Sequence, residues 1–354
     1  MTPPAQAAAV GSLVLSGLVV LLLVAVALEH LLRTRRLARE AARRAELTPL
    51  VHALLDGEST AELAGAPALL DELVLDLLPQ LRGADRSALQ AVLLERGVVG
   101  RAADQLTARG AARRGRAALL LGNAASAEHT TPLVHLLSDR TAEVRSAAAR
   151  ALGKTGDPAA VGPLLAAVAS RQGVPPGVVG MALLDLGTGV LPALRTALDA
   201  GRPVTQALAA DLIGVHGDPA ATDALIALVG DPGRDPDVRR SAAQALGRIG
   251  SPVATATLAA ALRGSGERPL RGAAAEALGR IGDPAALDPL TAGLRSADAD
   301  VRGACADALT LFGEPGRLRL AAHAVLCGPS GDAARSALDV LEFTRRPGRH
   351  AARA

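Results

Sequence analysis

The stretch VRRSAAQALGRIGSPVA, Val238 to Ala254, holds a helix, its stop and the start of the next helix. Val238, Ala242, Ala245, Leu246 and Ile249 recur at helical spacing. Gly250 then supplies the left-handed conformation that ends a helix. Ser251 is a capping residue type, and Pro252 fits the first turn of a following helix. Three other segments superimpose on it without gaps: VRSAAARALGKTGDPAA from Val144, LRGAAAEALGRIGDPAA from Leu270 and VRGACADALTLFGEPGR from Val301.

The terminating glycines of these copies are Gly156, Gly250, Gly282 and Gly313. Two degenerate copies, GVVGMALLDLGTGVLPAL and VTQALAADLIGVHGDPAA, add Gly187 and Gly217, so successive intervals are 31, 30, 33, 32 and 31 residues. A looser copy upstream, RGRAALLLGNAASAEHTTPL, places Arg114 and Gly122 in the slots of Arg145 and Gly153. Each unit is two helices and two turns, with Asp157, Ser251, Asp283 or Glu314 expected to cap the second helix. Neither helix buries its apolar stripe alone, so neighbouring units must stack. The predicted fold is all-α, a right-handed α-solenoid of about eight helical pairs.

At these residues the chain resembles the HEAT-repeat superfamily, particularly its bacterial HEAT-like subset of the phycobilin-lyase type. The resemblance covers roughly residues 47–343 and is strongest over residues 112–326. It implies that the arginine of each VR pair stacks from repeat to repeat and bonds acidic turn residues. Arg114, Arg145, Arg239, Arg271 and Arg302 match that slot, with Glu143, Asp237 and Asp300 two positions ahead of three of them. Pro176 and Gln206 break the pattern, and RQGVPPGVVG (Arg171 to Gly180) predicts a kink or loose joint.

Composition agrees with an all-helical core. The chain has 354 residues, two Phe, no Trp and no Tyr, so Ala, Leu and Val must fill the interior. Missing aromatics also remove the stacking platforms of single-strand nucleic-acid binders. A net charge of +3 leaves only phosphate contacts as a weak route to nucleic acid. Cys305 and Cys327 lie 22 residues apart, without metal spacing, and read as buried small apolar residues.

The amino terminus has a different character. Ala7 to Leu28 is uncharged over 22 residues, about 33 Å as a helix against a hydrocarbon core of about 30 Å. No Lys or Arg precedes it, whereas Arg33, Arg35, Arg36, Arg39, Arg43 and Arg44 follow. The positive-inside rule then puts the amino terminus outside and the remainder in the cytoplasm. A cleavable signal peptide is the alternative, since Ala25-Val26-Ala27 resembles a cleavage site; the arginines lie on the wrong side for it. The same arginines are also candidates to contact anionic lipid. The expected organisation is a short extracytoplasmic start over 1–6, a transmembrane helix over 7–30 and a basic juxtamembrane segment over 31–46. The solenoid follows over 47–343, then a basic disordered tail over 344–354.

Catalytic readings find little support. Gly153-Lys154-Thr155 ends like a phosphate-binding loop, and Lys154 is the sole lysine. A phosphate loop also needs glycine where Ala148 stands, and a strand before it. The repeats offer another account: Lys154, Arg248 and Arg280 share one slot at equivalent helix ends, where cations offset the helix dipole. Four positions earlier stand Arg150, Gln244, Glu276 and Asp307. In HEAT solenoids these helices line the concave surface, so these residues form the candidate partner face. No catalytic, cofactor or metal residues are assigned. The expectation is a membrane-held, non-catalytic scaffold that binds a partner protein, a membrane enzyme being one such client class. A lyase- or chaperone-like HEAT protein acting on a client, or a weak nucleic-acid binder, are the alternatives.

Overall fold

The computed structural model describes residues 68–81, 83–124, 127–264 and 267–345, together with residues 29, 30, 34 and 49. The expected membrane helix therefore lies outside the described residues, apart from Glu29 and His30. Among the described residues no helix is long and apolar enough to cross a membrane. The described residues are helical or in turns, without a strand.

The chain forms two units that divide between Arg101 and Ala102. In the first, α1 (Ala68–Leu77) and α2 (Gly83–Glu95) are joined by an ion pair between Asp71 and Arg96. The helix that follows, α3 (Val98–Gln105), contains the division.

The second unit is a two-layer stack. One layer comprises α4 (Ala111–Asn123), α6 (Ala142–Thr155), α8 (Pro176–Asp185), α10 (Pro203–His216), α12 (Pro236–Ile249), α14 (Arg268–Ile281), α16 (Ala299–Thr310) and α18 (Pro329–Arg345). Between them run α5 (Thr130–Leu136), α7 (Val161–Ala169), α9 (Leu191–Ala200), α11 (Thr222–Gly230), α13 (Thr255–Arg263), α15 (Leu287–Gly293) and α17 (Glu314–Ala324). The predicted glycines end the first-layer helices with φ between 62° and 76°, at Gly156, Gly187, Gly217, Gly250, Gly282 and Gly313. Asp157, Asp218 and Asp283 then accept the N–H two residues on, capping a short 3-10 turn that leads into each second-layer helix. Ser251 makes no such bond, and Glu314 is already inside α17, paired with Arg317.

The first layer packs much the tighter. Helices α10, α12, α14 and α16 pack closely one against the next, whereas α11, α13 and α15 touch each other sparingly. A stack with one layer closely spaced and the other loosely spaced curves toward the close layer. The α4–α18 series is therefore the inner, concave side of the unit.

Glycine permits that spacing. A Cβ added at Gly122, Gly153, Gly214 or Gly247 lies 2.5 to 2.7 Å from the Cα of Ala151, Ala182, Ala245 or Ala277 on the next inner helix. Gly279 meets Ala308 in the same way, at 2.8 Å from its Cβ. The pattern fails at two seams: Thr310 holds the glycine slot before α18, and the seam between α8 and α10 lacks both residues of the pair. Between α8 and α10 the two slots hold Leu184 and Leu212, and these helices touch only slightly. The loose joint thus falls one seam later than RQGVPPGVVG suggests. There Pro175 and Pro176 simply start α8, where proline lacks no needed N–H.

Two further expectations need correction. Cys305 is buried, and burial pushes its thiol up to about 12, but Cys327 is exposed at the turn before α18. The tail does not begin at 344, because α18 continues to Arg345; residues 346–354 lie outside the described residues.

Stability in a stack of repeats is a sum of nearest-neighbour interfaces, and local opening follows the weakest of them. Native-state hydrogen exchange should therefore show a step in opening free energy between α8 and α10, with α10, α12 and α14 protected as one group. Even protection across that joint would contradict the seam assignment.

Candidate partner-binding face

The arginines of the VR slot are structural; two of them bond acidic turn residues as the resemblance implies, but not Glu143, Asp237 or Asp300. Arg114 grips the Asp139 carboxylate with two nitrogens, Nε at 2.7 Å and Nη2 at 2.9 Å. Arg239 donates twice to the Val229 carbonyl and lies 3.6 Å from Glu267. Arg271 bonds the Leu262 carbonyl and the Ser296 hydroxyl, while Arg145 and Arg302 donate to the carbonyls of Asp139 and Ser296. Each therefore caps the preceding outer helix or its turn, and three reach the turn of the next repeat. Glu143, Asp237 and Asp300 are not the partners, because residues two apart on a helix face opposite ways. Asp237 holds Arg240 at 3.1 Å instead.

The degenerate repeats keep this carbonyl capped by substitutes. Gln206 is buried and donates to Leu198 O at 2.7 Å. Pro176 has no donor, and Arg202 from the following turn reaches Ala169 O at 2.5 Å. Arg335 in α18 is a further ladder member, bonded to the carbonyls of Ala324 and Leu326. Its DAARSAL setting lacks the VR pair that marks the others.

With the ladder committed to the fold, the exposed side of the inner helices presents two rows. Six residues before each terminating glycine stand Arg150, Met181, Asp211, Gln244, Glu276 and Asp307. Two residues before it stand Lys154, Asp185, Val215, Arg248, Arg280 and Leu311. All twelve are exposed or half-buried. The structure thus puts all the candidate residues on one face, but the basic row is not continuous. Asp185 and Val215 separate Lys154 from Arg248. The strict motif missed these positions because their repeats lack the VR arginine.

Local bonds restrain some of these charges. Lys154 Nζ donates to Asn123 at 2.6 Å, one repeat upstream in the same row. Arg248 reaches the Asp211 carbonyl at 3.4 Å, and Arg280 lies 3.7 Å from Glu276 one turn earlier. Arg150 and Asp307 are exposed to solvent. Burial raises the Asp211 carboxyl above the ordinary range, against the pull of Arg248, Ser241 and Arg240. Among the described residues no three His, Cys, Asp or Glu side chains gather in reach of a metal ion.

A family model described as HEAT repeats matches residues 103–174, 191–276 and 255–342. No curated protein matches the chain. Among solved structures, Kap121p aligns at 13% identity over 89% of this chain and 43% of its own, with a TM-score of 0.53. That likeness is one of fold alone. The CpcE–CpcF complex of phycocyanin lyase from Nostoc sp. PCC7120 aligns at 22% identity over 69% of this chain and 94% of its own (TM-score 0.33). Human deoxyhypusine hydroxylase aligns at 22% over 77% and 96% (TM-score 0.31).

The Arg114–Asp139 pair predicts an acid limb of stability. The Arg114 guanidinium, and then the Thr141 N–H, hold the Asp139 carboxyl below its ordinary value against the opposing cost of burial. A carboxyl lowered in the folded state contributes stability above its unfolded pKa of about 3.9, and that contribution is lost as pH falls through the folded value. Asp139→Asn should lower the urea midpoint at pH 7 and flatten its fall below about pH 4. An unchanged slope would show that Asp139 is not coupled to folding.

Proposed function

The chain belongs to the HEAT-repeat family, and on that premise we propose that it is a non-catalytic scaffold that binds a partner protein along the inner face of its solenoid. The observation that carries this reading is the division of labour among side chains. Ladder arginines and seam glycines are committed to stacking, whereas the two inner rows hold charged and apolar groups that stacking does not need. Charged rows of mixed sign suit a protein surface better than a polyanion, which favours a continuous basic stripe.

We further propose that residues 7–30 span a membrane with the solenoid on the cytoplasmic side. The uncharged run and the arginines after it support this reading. Anchoring would raise the concentration of the solenoid near a membrane-bound partner, with Arg33, Arg35, Arg36, Arg39, Arg43 and Arg44 placed to meet anionic headgroups.

Two measurements test these readings. Crosslinking of the intact protein in membranes should recover a protein partner whose yield falls about fivefold or more when Arg248→Glu and Arg280→Glu are combined, with the melting temperature preserved. Equal recovery by the variant would remove the inner face from the interaction. A reporter active only outside the inner membrane of a bacterial host, fused after Ala354, should be silent; an active fusion would reverse the topology.

A further inference from the structure

The middle of the inner face differs from its ends. Where the glycine–alanine pair gives way to Leu184 and Leu212, α8 and α10 touch only slightly, and a cleft of about 490 Å³ lies among α8, α10 and α12. Its apolar surface comes from Pro176, Pro203, Val204 and Leu208. Val204 is 40% exposed. One helical turn on from lining residues Gly177 and Asp211 stand Met181 and Val215, which are 60% and 56% exposed. Apolar side chains so exposed at the centre of a charged face have the layout of an interaction hot spot: a dry centre and a polar rim.

The rim has a sign. Asp211, Asp235 and Asp237 line the cleft against a single guanidinium, Arg240. Arg240 lies 3.1 Å from Asp237, and Asp235 accepts only the N–H of Asp237 among the described bonds. Asp211 has the Ser241 hydroxyl beside it and forms no ion pair with Arg240 or Arg248. The cleft therefore carries carboxylate in excess.

We propose that this cleft anchors the partner protein: an aliphatic side chain of an extended partner segment fills it, and a lysine or arginine next to that anchor meets Asp211 and Asp237. The proposal rests on the inner-face reading and narrows it to one subsite. A cation there forms charge-assisted hydrogen bonds with the two carboxylates, of which Asp211 is partly desolvated, stronger than bonds between neutral groups. Burial already disfavours the ionised Asp211 carboxyl, and an incoming cation would offset that cost.

The test uses a displayed library of random twelve-residue peptides selected against the full chain. Enriched peptides should share an aliphatic residue within three positions of a lysine or arginine. Their affinity should fall about tenfold or more with Val204→Asp and with Asp237→Lys, both at exposed positions. Exchanging the peptide's basic residue for glutamate should restore binding to the Asp237→Lys chain, which loss of folding would not permit. Failure to enrich that pattern would overturn the proposal. Peptides indifferent to the cleft variants but lost with Arg280→Glu would move the anchor elsewhere on the inner face and leave the scaffold reading intact. Peptides indifferent to all three would overturn both. If removal of residues 346–354 tightens peptide binding about tenfold, the chain's own basic tail, not a partner, is the occupant. A dimer of the full chain dissolved by Val204→Asp would make a second copy the occupant and would likewise overturn the proposal.

Discussion

The solenoid depends on how closely two inner helices approach. Ordinary helix packing keeps axes about 8–10 Å apart because side chains intervene. Here a glycine on one helix faces an alanine on the next, and a single added methyl would fall 2.6 Å from the Ala277 Cα at Gly247. An alanine-rich face provides such contacts repeatedly without bulky side chains. The outer helices lack a glycine at this register and touch only lightly, so the difference between the layers sets the direction of curvature.

Arginine completes the stack where glycine leaves off. Each terminating helix exposes carbonyls that need donors. A guanidinium has five N–H groups in a planar fork, enough to cap one outer helix and reach the turn of the next repeat. Arg239 does so with Val229 and Glu267, and Arg271 with Leu262 and Ser296. Where proline removes the donor, Arg202 supplies it from a neighbouring turn. The bond persists although the residue changes, which marks the carbonyl as the fixed requirement.

Much of this was legible in the sequence. The glycine intervals and the aspartate caps followed from local chemistry, because a turn needs its residue types wherever it stands; the arginine ladder followed from the family resemblance. What escaped needed the third dimension. The side-chain partners of Arg114, Arg239 and Arg271, namely Asp139, Glu267 and Ser296, lie about one repeat downstream, beyond any local motif. Met181, Asp185 and Val215 joined the inner rows only once their degenerate repeats were stacked. Arg335 lacked its marker valine, and Cys327 shares no feature with Cys305 that would separate exposed from buried. The cleft is assembled from Pro176, Val204, Asp211 and Asp237 on three helices, which no local pattern brings together.

The claim that close backbone approach at these glycines holds the stack together has a direct test in two substitutions of identical chemistry. Gly247→Ala and Gly272→Ala both place alanine inside an inner helix, where propensity alone favours alanine by about 0.5–1 kcal/mol. At Gly272 an added Cβ meets nothing within 4 Å, whereas at Gly247 it meets backbone. Overpacking of this kind costs about 1–3 kcal/mol or more, enough to outweigh propensity. Thermal unfolding should therefore show Gly272→Ala unchanged or stabilised and Gly247→Ala destabilised by several degrees. Equal shifts in the two variants would contradict the account.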